Sequence, residues 1–277
     1  MSSKLFQKKH ELFLSVLFGG FSIADEGLFD IFYDFGVIEY RHLNWLGESL
    51  AGSKEEFNYN YDRSCVKFEA KDNFELFSMI KEAILEIRAE YGKGAMYERF
   101  VADEDYFVQK IDALLKDEKN NQPITAFNKA RKLEDYELDK TSTDALTQFL
   151  FEETYKEYEL VMVYAYSNFF TDSKVLSNIF LDLIYESFFH LKSFARMLSK
   201  MGILYLPRQI MESVYKFDDL KKFLLDGIEE ERMAKIECIK LAQAVKNEEL
   251  SNFFNFINFQ ENYHIELMEK AVKELEK

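Results

Sequence analysis

Two of the chain's four histidines end glutamate-to-histidine intervals of one length, Glu157 to His190 and Glu231 to His264, each 33 residues. Each interval begins on a helical apolar pattern, crosses one break and ends on a second helical pattern. In an antiparallel helix pair, residues equidistant from the turn lie at one height. The midpoint of Glu157 and Ser187, one helical turn before His190, falls on Asp172 within Thr171-Asp172-Ser173, a turn signal. The midpoint of Glu231 and Glu261, one turn before His264, falls on Lys246, beside Asn247. Each hairpin therefore brings a carboxylate and an imidazole to one level, as a carboxylate-bridged metal pair between four helices requires. Glu261 and His264, three residues apart, also share a helix face. Carboxylate oxygens combined with imidazole nitrogens suit iron or manganese, with zinc as a tetrahedral competitor. Two such ions would keep open positions for dioxygen or peroxide, and burying so many carboxylates without a cation would be costly.

Eight long helices must position these groups. In the second half the periodicity predicts helices over about 144–170, 173–201, 217–246 and 248–276, with Thr141 or Thr143 as the first N-cap and Gly202 as a stop. The connector Ile203 to Lys216 reaches about 46 Å when extended, enough to cross a thirty-residue helix of about 45 Å. A short, long, short loop order leaves the middle two helices parallel. The first half repeats the plan over about 4–21, 25–51, 73–91 and 95–116, with its long connector near 52–72. Its second helix carries Glu39-Tyr40-Arg41-His42, and mirror counting pairs Glu11 with Glu39 and Glu82 with Glu104. Superposing His42 on His190 also superposes Asp34 on Asp182 and Leu43 on Leu191, a weak internal repeat. The expected organisation is a degenerate bundle over 1–117, a polar linker over 118–143 and a metal-binding bundle over 144–277.

Composition narrows the rest. Two prolines and ten glycines in 277 residues point to an all-α fold. A formal charge of −15 argues against nucleic acid or an anionic membrane as partner. Cys65 and Cys238 are isolated, so neither a zinc knot nor a rubredoxin-type iron site can be built, and both read as small buried hydrophobes of a cytoplasmic protein. Lys4, Lys8 and Lys9 precede an apolar run, Leu12 to Ile23, in the manner of a signal peptide, but Glu11 and Gly19-Gly20 argue against export. No run reaches the 18 or so apolar residues of a membrane span. The many aromatics, among them Phe169, Phe170, Phe188, Phe189, Phe253, Phe254 and Phe256, read as core.

The stretches Ile228 to Leu241 (IEEERMAKIECIKL) and Phe259 to Met268 (FQENYHIELM) resemble the third and fourth helices of the ferritin-like superfamily, particularly its rubrerythrin-like and bacterioferritin-like di-iron members. The resemblance covers 144–276 well and 4–116 faintly. It implies a ferritin-like four-helix bundle with a long crossover, twice in tandem. It further implies that Glu231 is a terminal ligand, Glu261 a bridge and His264 a terminal imidazole, holding two iron ions or iron with manganese. Glu157 with Tyr164 seven residues later matches the family's first helix, and His190 matches the second helix's histidine. Glu159 and Tyr166 share that spacing, and the matched 33-residue intervals favour Glu157. Ser187 stands where the family has its other bridging glutamate, leaving Glu186 as a substitute, or else one metal or an asymmetric site. In the first bundle Glu39 and His42 are the candidate ligands, and Phe107 replaces the fourth helix's histidine.

The implied activity is an oxidoreductase acting on peroxide or dioxygen, rubrerythrin-like but dependent on an external electron donor. Tyr164 or Tyr263 would relay protons or electrons. Oxygen-dependent hydroxylation of an organic substrate is one alternative, and a non-enzymatic metal-binding or scaffold bundle is the other. A tandem chain does not resemble a cage-forming ferritin subunit, whereas a homodimer is compatible with it.

Overall fold

A computed structural model describes residues 2–66, 70–124, 133 and 135–277. Among these residues the regular elements are helical, and the fold class is all-α. They are α1 (Ser3–Gly20), α2 (Glu26–Ser53), α3 (Asn73–Ile87), α4 (Ala95–Leu114), α5 (Lys140–Phe169), α6 (Lys174–Lys200), the single turn α7 (Glu212–Tyr215), α8 (Leu220–Ala244) and α9 (Glu248–Leu275). Of the expected linker, 125–132 and 134 lie outside the described residues.

Local chemistry starts most of these helices. Ser2, Asp25, Asp72, Asp139, Asp219 and Asn247 each accept a hydrogen bond from the backbone N–H three residues on, satisfying an orphan donor of the first turn. Helix α5 starts earlier than Asp144, because Asp139 rather than either threonine is the cap. Its carboxylate accepts from Ser142 N–H at 2.8 Å and faces Lys246 Nζ at 2.9 Å. The Thr143 hydroxyl instead donates back to the Asp139 carbonyl at 3.0 Å. Gly202 ends α6 as expected: its φ of 64° is left-handed, and Ile203 N–H reaches back to the Leu198 carbonyl at 3.0 Å.

The chain forms two compact units, Met1–Lys129 with Leu198–Ile210, and Ala130–Met197 with Met211–Lys277. Assignment of Leu198–Ile210 to the first unit departs from the boundary drawn at 117 and 144. Side chains account for it: Tyr61 donates to the Pro207 carbonyl at 3.0 Å, Gln209 donates to Asn60 at 2.7 Å, and Tyr205 stacks on Phe18 with centroids 5.8 Å apart.

In the first unit α1 packs on α2 and α3, and α4 packs on α2 and α3. The apolar run that resembled a signal peptide is core, with Leu12, Phe13, Leu14, Val16, Leu17 and Phe18 all buried. No helix of the described residues is long and apolar enough to cross a membrane. Helices α1 and α2 meet closely where Gly36 faces Leu17. A Cβ at Gly36 would lie 2.8 Å from Leu17 Cδ1 and 3.1 Å from Leu17 Cα, and the second of these is backbone. Gly36→Ala is therefore expected to destabilise the first unit by about 1–3 kcal/mol through overpacking. Denaturant unfolding checks this, and an alanine variant as stable as the parent would show that the helices can separate freely.

In the second unit α5 packs against α8, and α8 pairs with α9. Phe149 of α5 sets its edge against Phe194 of α6 and Phe254 of α9, with centroids 5.5 and 5.3 Å apart. Phe188 and Phe254 are buried as expected, but Phe170, Phe189 and Phe256 are exposed. The aromatic content thus exceeds what the core takes up.

Candidate metal centre

Four helices of the second unit each carry a buried polar residue to one place. Glu157 comes from α5, His190 from α6, Glu231 from α8, and Glu261 with His264 from α9. His190 Nδ1 is 2.9 Å from Glu157 Oε1. His264 Nδ1 is 3.0 Å from Glu261 Oε2 and 3.4 Å from Glu231 Oε1. The two imidazole rings lie 5.4 Å apart, centroid to centroid. Ligand atoms of Glu231, Glu261 and His264 fall within 4.8 Å of one another, and so do those of Glu186, His190 and His264. His264 belongs to both groups.

The two-residue alternative on α5 is resolved by packing. Glu159 is only partly buried and accepts from the Tyr155 hydroxyl at 2.6 Å, whereas Glu157 meets His190. Tyr164 is buried within the field of Glu231, Glu157 and Glu261; burial first, and those carboxylates second, hold its phenol firmly protonated. Tyr263 sits differently. It is 43% exposed and its hydroxyl donates to Asp182 at 3.3 Å, so its phenol is directed to the surface.

Two residues at this centre escaped the sequence reading. Gln260 joins the inner and outer groups: its amide donates to half-buried Glu186 at 2.9 Å, and its carbonyl oxygen is 3.2 Å from His190 Nε2. Nothing in the pattern distinguishes this amide from a solvated glutamine. Glu153 lies one turn before Glu157, within the field of Glu157 and Glu231, and burial raises its pKa. Its i, i+4 relation to Glu157 was a usable signal. Ser187 is buried and supplies no carboxylate.

The electrostatics describe a centre that holds protons when no cation is bound. Burial disfavours a charged His190, but the adjoining Glu157 outweighs it and places the imidazole at about 9. Burial is likewise overcome at His264, where Glu231 and Glu261 bring the value to about 11. Burial and then the neighbouring Glu231 charge push Glu261 up to about 8. A cation must displace these protons, so loading metal-free protein at neutral pH is expected to release about two to three protons per filled centre, with affinity falling as pH falls. Calorimetric titration with Mn(II) in buffers of different ionisation enthalpy reads this directly. Uptake without proton release would mean the ion sits elsewhere.

The first unit assembles a different cluster. Glu39 and His42 of α2 are buried beside Glu104 of α4, all within 4.8 Å by their ligand atoms. Glu11 and Glu82, the partners assigned by mirror counting, do not join them. Glu11 accepts from Asp62 N–H at 2.9 Å and Gln7 at 3.1 Å, and Glu82 is exposed. The missing element is Lys9, fully buried, with Nζ 2.5 Å from Glu39 Oε2 and 2.6 Å from Glu104 Oε1. Phe107, where the resemblance implies an imidazole, stacks on Phe35 with centroids 3.8 Å apart.

The chain matches no known protein-family model, no curated protein and no solved structure.

Proposed function

We propose that the second unit is a carboxylate and histidine metal centre for iron, or iron with manganese, and that it serves as an oxidoreductase on peroxide or dioxygen. The supporting observation is the convergence of Glu157, Glu231, Glu261, His190 and His264, all buried, from four helices. Among their atoms, Glu157 Oε2 and His264 Nε2 are buried without a hydrogen-bond partner. Such atoms are expensive to leave unmatched, and a divalent cation satisfies them. Glu231, Glu261 and His264 would hold one ion, and Glu186 and His190, with Glu157 beside His190, would supply ligands for a second. This hard-oxygen and imidazole set fits iron or manganese, and a metal bound there would supply redox and Lewis-acid chemistry. Ferritin-like ancestry remains part of this proposal, resting on the residues of α8 and α9.

The chain's own groups define the remaining roles. Tyr164, buried and protonated within the field of Glu231, Glu157 and Glu261, would relay a proton or an electron. Gln260 orients His190 from outside and connects it to Glu186, the one candidate ligand within reach of solvent. With two free cysteines and no paired-cysteine motif, electrons must come from an external donor.

The test is metal analysis of protein loaded anaerobically with Fe(II), followed by exposure to peroxide and to dioxygen. About two ions per chain with near-ultraviolet absorption on oxidation supports the enzyme. Protein that binds metal but turns over neither oxidant fits the second reading, a non-enzymatic metal-binding bundle, which Ser187 in place of a carboxylate favours.

A further inference from the structure

The first unit contains a fully buried ion cluster that the proposed function does not use. Glu39, His42 and Glu104 are a sufficient donor set for a divalent cation. Burying two carboxylates is unfavourable without a compensating positive charge. Here the charge is covalently attached. Besides its two carboxylates, Lys9 Nζ donates to Tyr91 Oη at 2.9 Å and lies 5.4 and 5.1 Å from the ring centres of Tyr91 and Phe100. The second oxygen of Glu104 accepts from Arg88 Nε at 2.9 Å. His42 is held at its Nε2, 3.0 Å from Asp103 Oδ2. Its Nδ1, 3.5 Å from Glu39 Oε2, is buried and has no hydrogen-bond partner. A ligand nitrogen aimed into the cluster and left unmatched is what remains when an ammonium, its three N–H groups already given to Glu39, Glu104 and Tyr91, stands where a metal would.

We propose that the Lys9 ammonium is a built-in substitute for a divalent cation, and that Glu39, His42 and Glu104 form a latent metal site kept closed by the chain's own side chain. The first unit then holds its centre together whether iron is scarce or abundant, since a tethered cation cannot dissociate or be chelated. On this proposal the Glu39, His42 and Glu104 cluster takes up no metal ion while Lys9 is in place. This inference stands whether or not the second unit is an oxidoreductase.

The experiment uses the full chain with the second centre disabled by Glu261→Gln and His264→Ala, and equilibrium dialysis against Mn(II) and Zn(II) as probes. Adding Lys9→Ala to that background is expected to gain about one further cation per chain, to lose it again on Glu39→Gln, and to melt at a higher temperature with cation than without. A background chain with Lys9 intact that already loads a cation removable by Glu39→Gln overturns the proposal. So does a Lys9→Ala chain that folds and stays cation-free. If Lys9→Ala refolds only when cation is present, the proposal is supported; if it refolds in neither condition, the cation is no substitute for the ammonium and the proposal fails.

Discussion

Replacing His264 by alanine is expected to weaken divalent-cation binding by the second unit about 100-fold or more, since even residues that only orient metal ligands are worth about 10- to 100-fold. His264 is the residue common to both candidate ligand groups, so its loss damages both positions at once. It also removes the imidazolium that faces Glu231 and Glu261 at 3.4 and 3.0 Å. Breaking a buried pair by deleting one partner costs about 3–5 kcal/mol, so the metal-free variant should also unfold more easily. Glu261→Gln, which keeps the shape and removes one carboxylate, should reproduce the binding defect with a smaller stability loss. Tyr263→Phe is the neighbour control. Its hydroxyl bonds Asp182 at the surface, so its Mn(II) affinity should equal the parent's. Calorimetric titration of the three variants decides the matter, and His264→Ala binding within tenfold of the parent would remove His264 from the centre.

The helices and the second unit's cluster of buried glutamates and histidines were legible in the sequence, and the first unit's cluster only in Glu39, His42 and Glu104, for one geometric reason. Counting residues from a turn gives the height of a side chain along a helix pair but not its direction around the axis. In the second unit the two coincide, because Glu157 and Glu231 lie on the buried faces of α5 and α8. In the first, Glu11 is two residues from Lys9 and hence about 200° around the helix, so it faces the connector while Lys9 enters the core. Helix α3 buries Leu76, Phe77, Ile80, Ile84 and Ile87, which puts Glu82 outside. A lysine followed by an apolar run has the outline of an export signal, and only the carboxylates of α2 and α4 make its burial intelligible. Those partners are 30 and 95 residues away in sequence, too remote for periodicity to connect. Helix starts were better marked because a cap is a local bond, although at α5 it is Asp139, accepting from Ser142 N–H, and not Thr141 or Thr143 that supplies it.

His10→Phe is expected to abolish a large part of the first unit's acid sensitivity between pH 6.5 and about 4.5. His10 is fully buried on α1 with the rings of Phe13, Tyr59 and Tyr61 around it at 6.2, 5.4 and 5.8 Å. Burial lowers its pKa from 6.5 to about 3, against a smaller opposing effect of its hydrogen bond to the Asn60 backbone. The unfolded chain therefore takes up a proton at about 6.5 that the folded chain refuses until about 3, and stability falls as pH falls through that interval. Each pH unit is worth about 1.4 kcal/mol, so on the order of 4–5 kcal/mol disappears by the lower limit. Glu39 acts in a lower window. Burial opposes its ionisation but the Lys9 ammonium outweighs that and lowers its pKa, so its contribution is present above 4.5 and lost only below. Glu48 of α2, raised by burial, takes up its proton more readily in the folded chain and so works in the opposite direction, which leaves a loss of stability between 6.5 and 4.5 as the signature of His10 within the first unit. Hydrogen-exchange protection of the α1 amides, corrected for intrinsic rates, isolates it from His190, His264 and Glu261 of the second unit. In the parent, protection should decline as pH is lowered from 6.5, and in His10→Phe it should stay nearly level down to about 4.5; parallel declines in both proteins would show that some other group of the first unit takes up the proton.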